Sequence, residues 1–134
     1  MKILIFGGNG WIGNQFVEIL KKQNVEFKIG KSRVDNEKLL SDEIEEYEPT
    51  HIISFIGRTH GKINNKVYST IDYLEQKGKL YENIRDNLFS PILLSEICKK
   101  TFFKTRRISK DQVCIYKFHK LDKNNFSKRL LFLC

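Results

Sequence analysis

A short run, KILIF at Lys2–Phe6 and apolar after its lysine, leads directly into GGNGWIG at Gly7–Gly13 and then into NQFVEILKKQ. No other feature of the chain constrains its fold as strongly. The run is short, apolar from Ile3 to Phe6 and followed by glycine, the pattern of a buried strand. The third stretch places Phe16, Ile19 and Leu20 on one helical face. Gly7, Gly10 and Gly13 therefore form GxxGxxG between a strand and a helix, the context in which that spacing has a mechanism. The first glycine permits a tight turn, the second lets the backbone approach a pyrophosphate, and the third lets the helix pack closely on the strand. The free N–H groups and positive dipole end of the helix then face the phosphates. Candidate cofactor contacts in this turn are Gly7, Asn9, Gly10, Trp11, Ile12 and Gly13. Without a ligand, the same residues would be a glycine-rich turn and nothing more.

The pattern continues. Val25–Ile29 alternates as a second strand and ends at Gly30. Residues 36–47 space Leu39, Leu40, Ile44 and Tyr47 as a helix with acids on the opposite face, and Pro49 stops it. His51–Ile56 is a third apolar strand closed by Gly57. Residues 62–80 are polar, a loop with a short helix. Residues 82–99 carry Ile84, Leu88, Leu94 and Ile97/Cys98 on a helical period, with Pro91 inside. This βαβαβα order predicts an α/β fold, a Rossmann-like doubly wound parallel sheet with right-handed crossovers.

The 134 residues suit one small domain or the first half of a larger one. No apolar run approaches the roughly 20 residues of a membrane span, and the amino terminus does not read as a signal peptide, so a cytoplasmic location is expected. Cys98, Cys114 and Cys134 show neither a disulfide framework nor zinc-site spacing. His51, His60 and His119 suggest no metal site. The net charge of +8 is unevenly placed: residues 101–134 hold nine Lys/Arg against Asp111 and Asp122. The chain thus divides into residues 1–100, a dinucleotide-binding domain, and residues 101–134, a basic tail. The tail has one strand-like run, Gln112–Phe118, and an apolar end, Leu130–Leu133.

The end of the second strand bears on cofactor choice. A site for NAD usually places Asp or Glu there, against the ribose hydroxyls. This chain has Gly30-Lys31-Ser32-Arg33. A carboxylate would repel a 2′-phosphate, whereas Lys31, Arg33 and the Ser32 hydroxyl would attract one, which favours NADP(H). A solvated basic loop is the alternative.

GGNGWIG, the GKSR turn and PTHIISFIGRTHG together resemble the extended short-chain dehydrogenase/reductases that act on nucleotide sugars. The resemblance is to the dTDP-4-dehydrorhamnose reductases and, within them, the bifunctional 3,5-epimerase/4-reductases of rhamnose synthesis. It runs from Met1 to about Lys100, continuing through IDYLE and NIRDNLFSPILLSEICK. The resemblance implies that Phe55, Ile56 and Gly57 touch the cofactor ribose and that Arg58 and Thr59 begin a loop toward the substrate. It also implies a proton-relay role for Asn87, through a water on its main-chain carbonyl. Pro91, four residues on, has no N–H to occupy that carbonyl; a merely kinked helix is the alternative.

The family's catalytic pair is Tyr-x-x-x-Lys on a helix; Tyr116 and Lys120 have that spacing, in a run that reads as a strand. The charge jump and the end of the resemblance coincide near Lys100, as expected for a truncated or frame-shifted reductase. The implied activity is NADPH-dependent reduction of a 4-keto-6-deoxy sugar on a nucleoside diphosphate. A non-catalytic dinucleotide-binding module is the second reading. Nucleic-acid binding through Lys104, Arg106, Arg107 and Lys110 is a third and weaker one, with no recognition motif. Three strands without a second half would leave apolar surface exposed, so self-association is expected.

Overall fold

The computed structural model describes residues 1–104 and 113–115, with side chains through residue 101. Four parallel strands form the main sheet: β1 (Lys2–Phe6), β2 (Glu26–Ile29), β3 (His51–Ser54) and β6 (Val113–Ile115). Their order is β2-β1-β3-β6. Ile3 lies between Phe27 and His51, and Ile5 between Ile29 and Ile53. Helix α1 (Trp11–Lys22) covers one face, packing Val17 and Leu20 on Ile3, Ile5 and Ile53. Helices α2 (Glu37–Tyr47) and α4 (Ser90–Lys104) cover the other, packing Leu40, Ile44, Leu94, Ile97 and Cys98 on Leu4, Phe6 and Ile52. The Ile3–Phe6 side chains are buried in both directions, which is why these four positions are all apolar, while Lys2 at the strand's start is half-buried. Each fully buried Leu or Ile contributes about 1.5–3 kcal/mol. The fold is the expected doubly wound α/β arrangement.

Several boundaries differ from the sequence reading. α1 begins at Trp11, because Gly10 caps it and the Gly10 carbonyl already accepts from Asn14 N–H at 2.8 Å. β2 starts at Glu26, since Val25 N–H is spent on the Leu20 carbonyl at the end of α1. β3 stops at Ser54, where its partner β1 stops at Phe6. In α2, Leu39 faces solvent and Glu43 is buried, the reverse of the expected faces. Asn36 caps this helix by accepting from Leu39 N–H at 3.1 Å, and left-handed Glu48 ends it before Pro49.

Residues 62–80 are more ordered than expected. β4 (Gly61–Ile63) and β5 (Lys66–Tyr68) form an antiparallel hairpin around Asn64-Asn65, with Asn64 at φ 53°. A 3₁₀ turn follows at Ile71–Tyr73. The expected 82–99 helix is α3 (Leu80–Ile84), a π-helical segment at Arg85–Phe89, and α4. The wide π turn shifts the helical phase, so Asp86 is buried while Ile84 and Leu88 are exposed. The wide turn falls just before Pro91, where α-bonding would find no N–H donor. α4 passes residue 100 and so crosses the boundary drawn between domain and tail, and β6, within 112–118, pairs with β3. Among the described residues, no helix is long and apolar enough to cross a membrane.

Candidate dinucleotide site

From β1 the chain moves to β2 on one side, then crosses to β3 on the other. The loops after β1 and β3 therefore diverge, and a crevice opens beyond the strands' carboxyl ends, where open α/β sheets bind ligands. A cavity of about 420 Å³ lies there. It is lined by Gly7 and Gly10 after β1, by Ser32, Arg33, Val34 and Asp35 after β2, and by Phe55, Ile56, Gly57, Arg58 and His60 after β3. Asp86 and Ser90 complete the lining.

The glycine turn is built by backbone contact. Gly7 has φ +79°, and a methyl on it would lie 2.9 Å from the Phe55 carbonyl carbon. Gly10 N–H donates to the Gly7 carbonyl at 3.1 Å. A methyl on Gly13 would overlap the Gly7 carbonyl oxygen and come within 2.8 Å of Gly8 Cα. At Gly10 the only neighbour of such a methyl among the described residues is the Gly7 oxygen at 3.3 Å. Gly10 is thus the open position of the three, with no described residue placed to exclude a side chain. The first turn of α1 carries no acid and no side-chain cap. An open glycine before uncapped N–H groups fits a diphosphate.

The β2 loop is fixed from below. The Glu43 carboxylate accepts from Lys31 N–H at 3.0 Å and from Ser32 N–H at 2.8 Å, with Lys28 Nζ 3.6 Å away. Burial pushes the Glu43 carboxyl up, but these donors outweigh it and hold it below its usual range. The Ser32 hydroxyl donates to the Leu39 carbonyl at 3.0 Å, so its proton is already used. Arg33 forks onto Asp35, with Nε 3.0 Å from Oδ1 and Nη2 2.9 Å from Oδ2.

The β3 loop is held by the π segment. Asn87 grips the Arg58 peptide at both ends: Oδ1 accepts from Arg58 N–H at 2.9 Å, and Nδ2 donates to the Arg58 carbonyl at 2.9 Å. Nδ2 also donates to Asn83 Oδ1 at 3.0 Å. Arg58 is a half-buried, ion-paired residue, with Nε 2.7 Å from Asp86 Oδ2. Arg85 Nε lies 2.6 Å from Asp86 Oδ1. Burial raises the Asp86 carboxyl, yet hydrogen bonds from Arg85 and Arg58 prevail and hold it low.

Of the expected cofactor contacts, Gly7, Gly10, Ser32, Arg33, Phe55, Ile56, Gly57 and Arg58 meet at one cavity. Asn9, Trp11, Ile12, Gly13 and Lys31 are not on its wall; Asn9, Trp11 and Lys31 are exposed, and Gly13 packs behind the turn. Asn87 lies behind the wall and holds Arg58. Tyr116 and Lys120 fall outside the described residues. Tyr73 and Lys77 also have Tyr-x-x-x-Lys spacing, but Tyr73 is buried off the cavity, its hydroxyl donating to Glu82 at 2.7 Å. The sequence reading missed Asp35 and Asp86. Asp35 lies two residues from an arginine in a loop whose length hid its direction, and Asp86 is buried only because of the π turn. No His/Cys/Asp/Glu group that could hold a metal occurs among the described residues.

A glycine turn at the switch point of a parallel, doubly wound sheet defines a Rossmann-type protein. No family model matches the chain. The UDP-rhamnose synthase L780 of Acanthamoeba polyphaga mimivirus is 51% identical over 100 residues. Its crystal structure superposes with a TM-score of 0.71, covering 75% of this chain and 34% of that one. The trifunctional UDP-glucose 4,6-dehydratase/3,5-epimerase/UDP-4-keto-L-rhamnose-reductase RHM1 of Arabidopsis thaliana is 31% identical over 75% of this chain and 14% of its own length. A dTDP-4-dehydrorhamnose reductase from Bacillus anthracis, solved with NADP, shares the fold at 19% identity. Its TM-score is 0.58, over 76% of this chain and 34% of that one. Other neighbours of this fold are solved with NAD. The amino-terminal part of the chain is thus related to the UDP-rhamnose synthases, dTDP-4-dehydrorhamnose reductases and epimerase/dehydratase enzymes of the short-chain dehydrogenase/reductase class. The chain spans about a third of the length of L780.

Proposed function

We propose that the chain binds NADP(H) in this crevice and is the dinucleotide-binding part of a reductase for nucleotide-linked 4-keto-6-deoxy sugars. The observation that carries the reading is the open Gly10, set before the uncapped start of α1, with Arg33 in the wall of the same cavity. Gly7, Gly10 and the first turn of α1 would hold the diphosphate, Arg33 the 2′-phosphate, and Phe55–Gly57 the ribose. Asn9, Trp11, Ile12 and Lys31 would contribute from the rim. When bound, NADPH supplies the hydride that reduces a carbonyl carbon. The chain's own residues bind and orient: Glu43 fixes the Lys31–Ser32 backbone, and Asn87 fixes Arg58 on the substrate side. A UDP-linked sugar is favoured by the identity to the UDP-rhamnose synthase L780. A cytoplasmic location belongs to the same proposal and suits Cys98, which is buried and outside any disulfide.

Titrating the 134-residue chain with NADPH and NADH tests the reading. NADPH should bind more tightly; binding of neither, or tighter binding of NADH, refutes it. A second reading, cofactor binding without turnover, is favoured by Tyr73, which among the described residues has Tyr-x-x-x-Lys spacing with Lys77 but lies off the cavity with its hydroxyl on Glu82. Mixing the chain, NADPH and a 4-keto sugar nucleotide separates the two. Binding without NADPH oxidation supports the module, and turnover excludes it.

A further inference from the structure

The loop after β2 sets opposite charges side by side at the cavity wall. Arg33, the residue suited to a 2′-phosphate, already spends two of its guanidinium nitrogens on Asp35, at 3.0 and 2.9 Å. Asp35 lines the same cavity. A second guanidinium approaches it: Arg85 Nε stands 3.6 Å from Asp35 Oδ2 and is itself anchored to Asp86 at 2.6 Å. The Asp35 side chain is 20% exposed and that of Arg33 65%, so the acid is the fixed partner and the arginine the movable one. An arriving phosphate must draw the same nitrogens from a carboxylate that also repels it. A ribose hydroxyl, neutral and able to donate to a carboxylate, meets no such opposition.

We propose that Asp35, fastened by Arg85, is a specificity-determining residue that restrains Arg33 and so narrows the preference for 2′-phosphorylated over unphosphorylated dinucleotide. The inference rests on the dinucleotide reading above and adds a brake to it. Arg33 holds the Asp35 carboxyl below its usual range, so the brake stays charged at neutral pH.

The test is titration of the full chain with NADP⁺ and NAD⁺, for the unaltered protein, Asp35→Asn, Arg33→Gln and the double variant. Freeing Arg33 from a partly exposed ion pair should tighten NADP⁺ by roughly fivefold in Asp35→Asn. NAD⁺ binding should not tighten. Asp35→Ser, which removes the same charge with a smaller side chain, should act in the same direction. In the Arg33→Gln background, Asp35→Asn should change the NADP⁺/NAD⁺ ratio less than about twofold, because its effect runs through Arg33. If both nucleotides bind but the ratio is unchanged in both Asp35 variants, this inference fails and the dinucleotide reading survives. A gain that persists in full without Arg33 also overturns it. Binding of neither nucleotide by the unaltered chain refutes the dinucleotide reading, and this inference with it.

Discussion

Gly10 and Gly13 belong to one motif but should fail in different ways when each is replaced by alanine. At Gly13 the new methyl meets backbone: it overlaps the Gly7 carbonyl oxygen and lies 2.8 Å from Gly8 Cα. Neither atom can rotate aside, so the cost falls near the upper end of the about 1–3 kcal/mol for overpacking. The better helix propensity of alanine returns about 1 kcal/mol. The net loss of about 2 kcal/mol corresponds to a fall in Tm of roughly 8–16 °C for a domain of this size. At Gly10 the methyl has one neighbour at 3.3 Å, and φ −73°, ψ 168° is ordinary backbone for any L residue. Gly10→Ala should cost about 0.5 kcal/mol, or roughly 2–4 °C. Its effect belongs to binding, because the methyl stands where the diphosphate would approach. Losing one or two charge-assisted N–H bonds, at about 1.5–3 kcal/mol in all, weakens NADPH by roughly ten- to hundredfold. Scanning calorimetry and NADPH titration of both variants decide the matter. A folded Gly10→Ala that binds NADPH as the unaltered chain does would show that the phosphates do not cross Gly10. A Gly13→Ala that melts unchanged would show that α1 does not approach the turn this closely.

Glu43→Gln should cost about 1–3 kcal/mol in urea unfolding, since the buried carboxylate serves two part-buried backbone donors. The Glu43 carboxyl titrates lower in the folded chain than its ordinary 4.5, so its stabilisation is present above that pH and fades as the pH falls through the folded value. Urea midpoints of the unaltered chain should therefore drop on acidification below about 4.5, and Glu43→Gln should flatten that drop; equal slopes would contradict it. Asp86→Asn should lose about 1–3 kcal/mol, because Arg58 and Arg85 would face each other without their shared carboxylate. An unchanged melt would show that the pairing is not stabilising. Tyr81, Ile84, Leu88 and Ile92 recur at helical spacing along the exposed side of α3, the π segment and α4. Size-exclusion chromatography should show association that Leu88→Lys reduces, and a monomer at all concentrations would count against it.

The buried layer was legible because its signals are local. Ile3–Phe6 is apolar at every position since β1 is covered on both faces, and Leu40, Ile44, Leu94, Ile97 and Cys98 keep a helical period since they meet one sheet. The spacing of Gly10 and Gly13 was legible for the same reason, both answering to Gly7 a few residues away, whereas Gly7 itself meets Phe55 from the loop after β3. What escaped were features set by phase and by long-range pairing. One wide turn at Arg85–Phe89 rotates everything before it relative to α4, which exposes Ile84 and Leu88 and buries Asp86. No periodicity measured across that turn could place both sides correctly.

The same turn explains why the polar half of the site was invisible in the sequence. By turning Asp86 inward, it gives Arg58, from 28 positions earlier in the chain, a partner at 2.7 Å. Asn87, next in line, takes the Arg58 peptide. Arg85 on the other side reaches Asp35 across the cavity rim. Three consecutive residues of a distorted helix thus tie the loop after β2 to the loop after β3, the two walls of the crevice. The glycine turn supplies the floor from within a seven-residue stretch, but the walls exist only once the helix is docked and its phase is shifted. A straight helix would leave the GKSR turn basic and unopposed, as the sequence alone suggests. The π turn instead positions Arg85, whose hold on Asp35 sets an acid against Arg33.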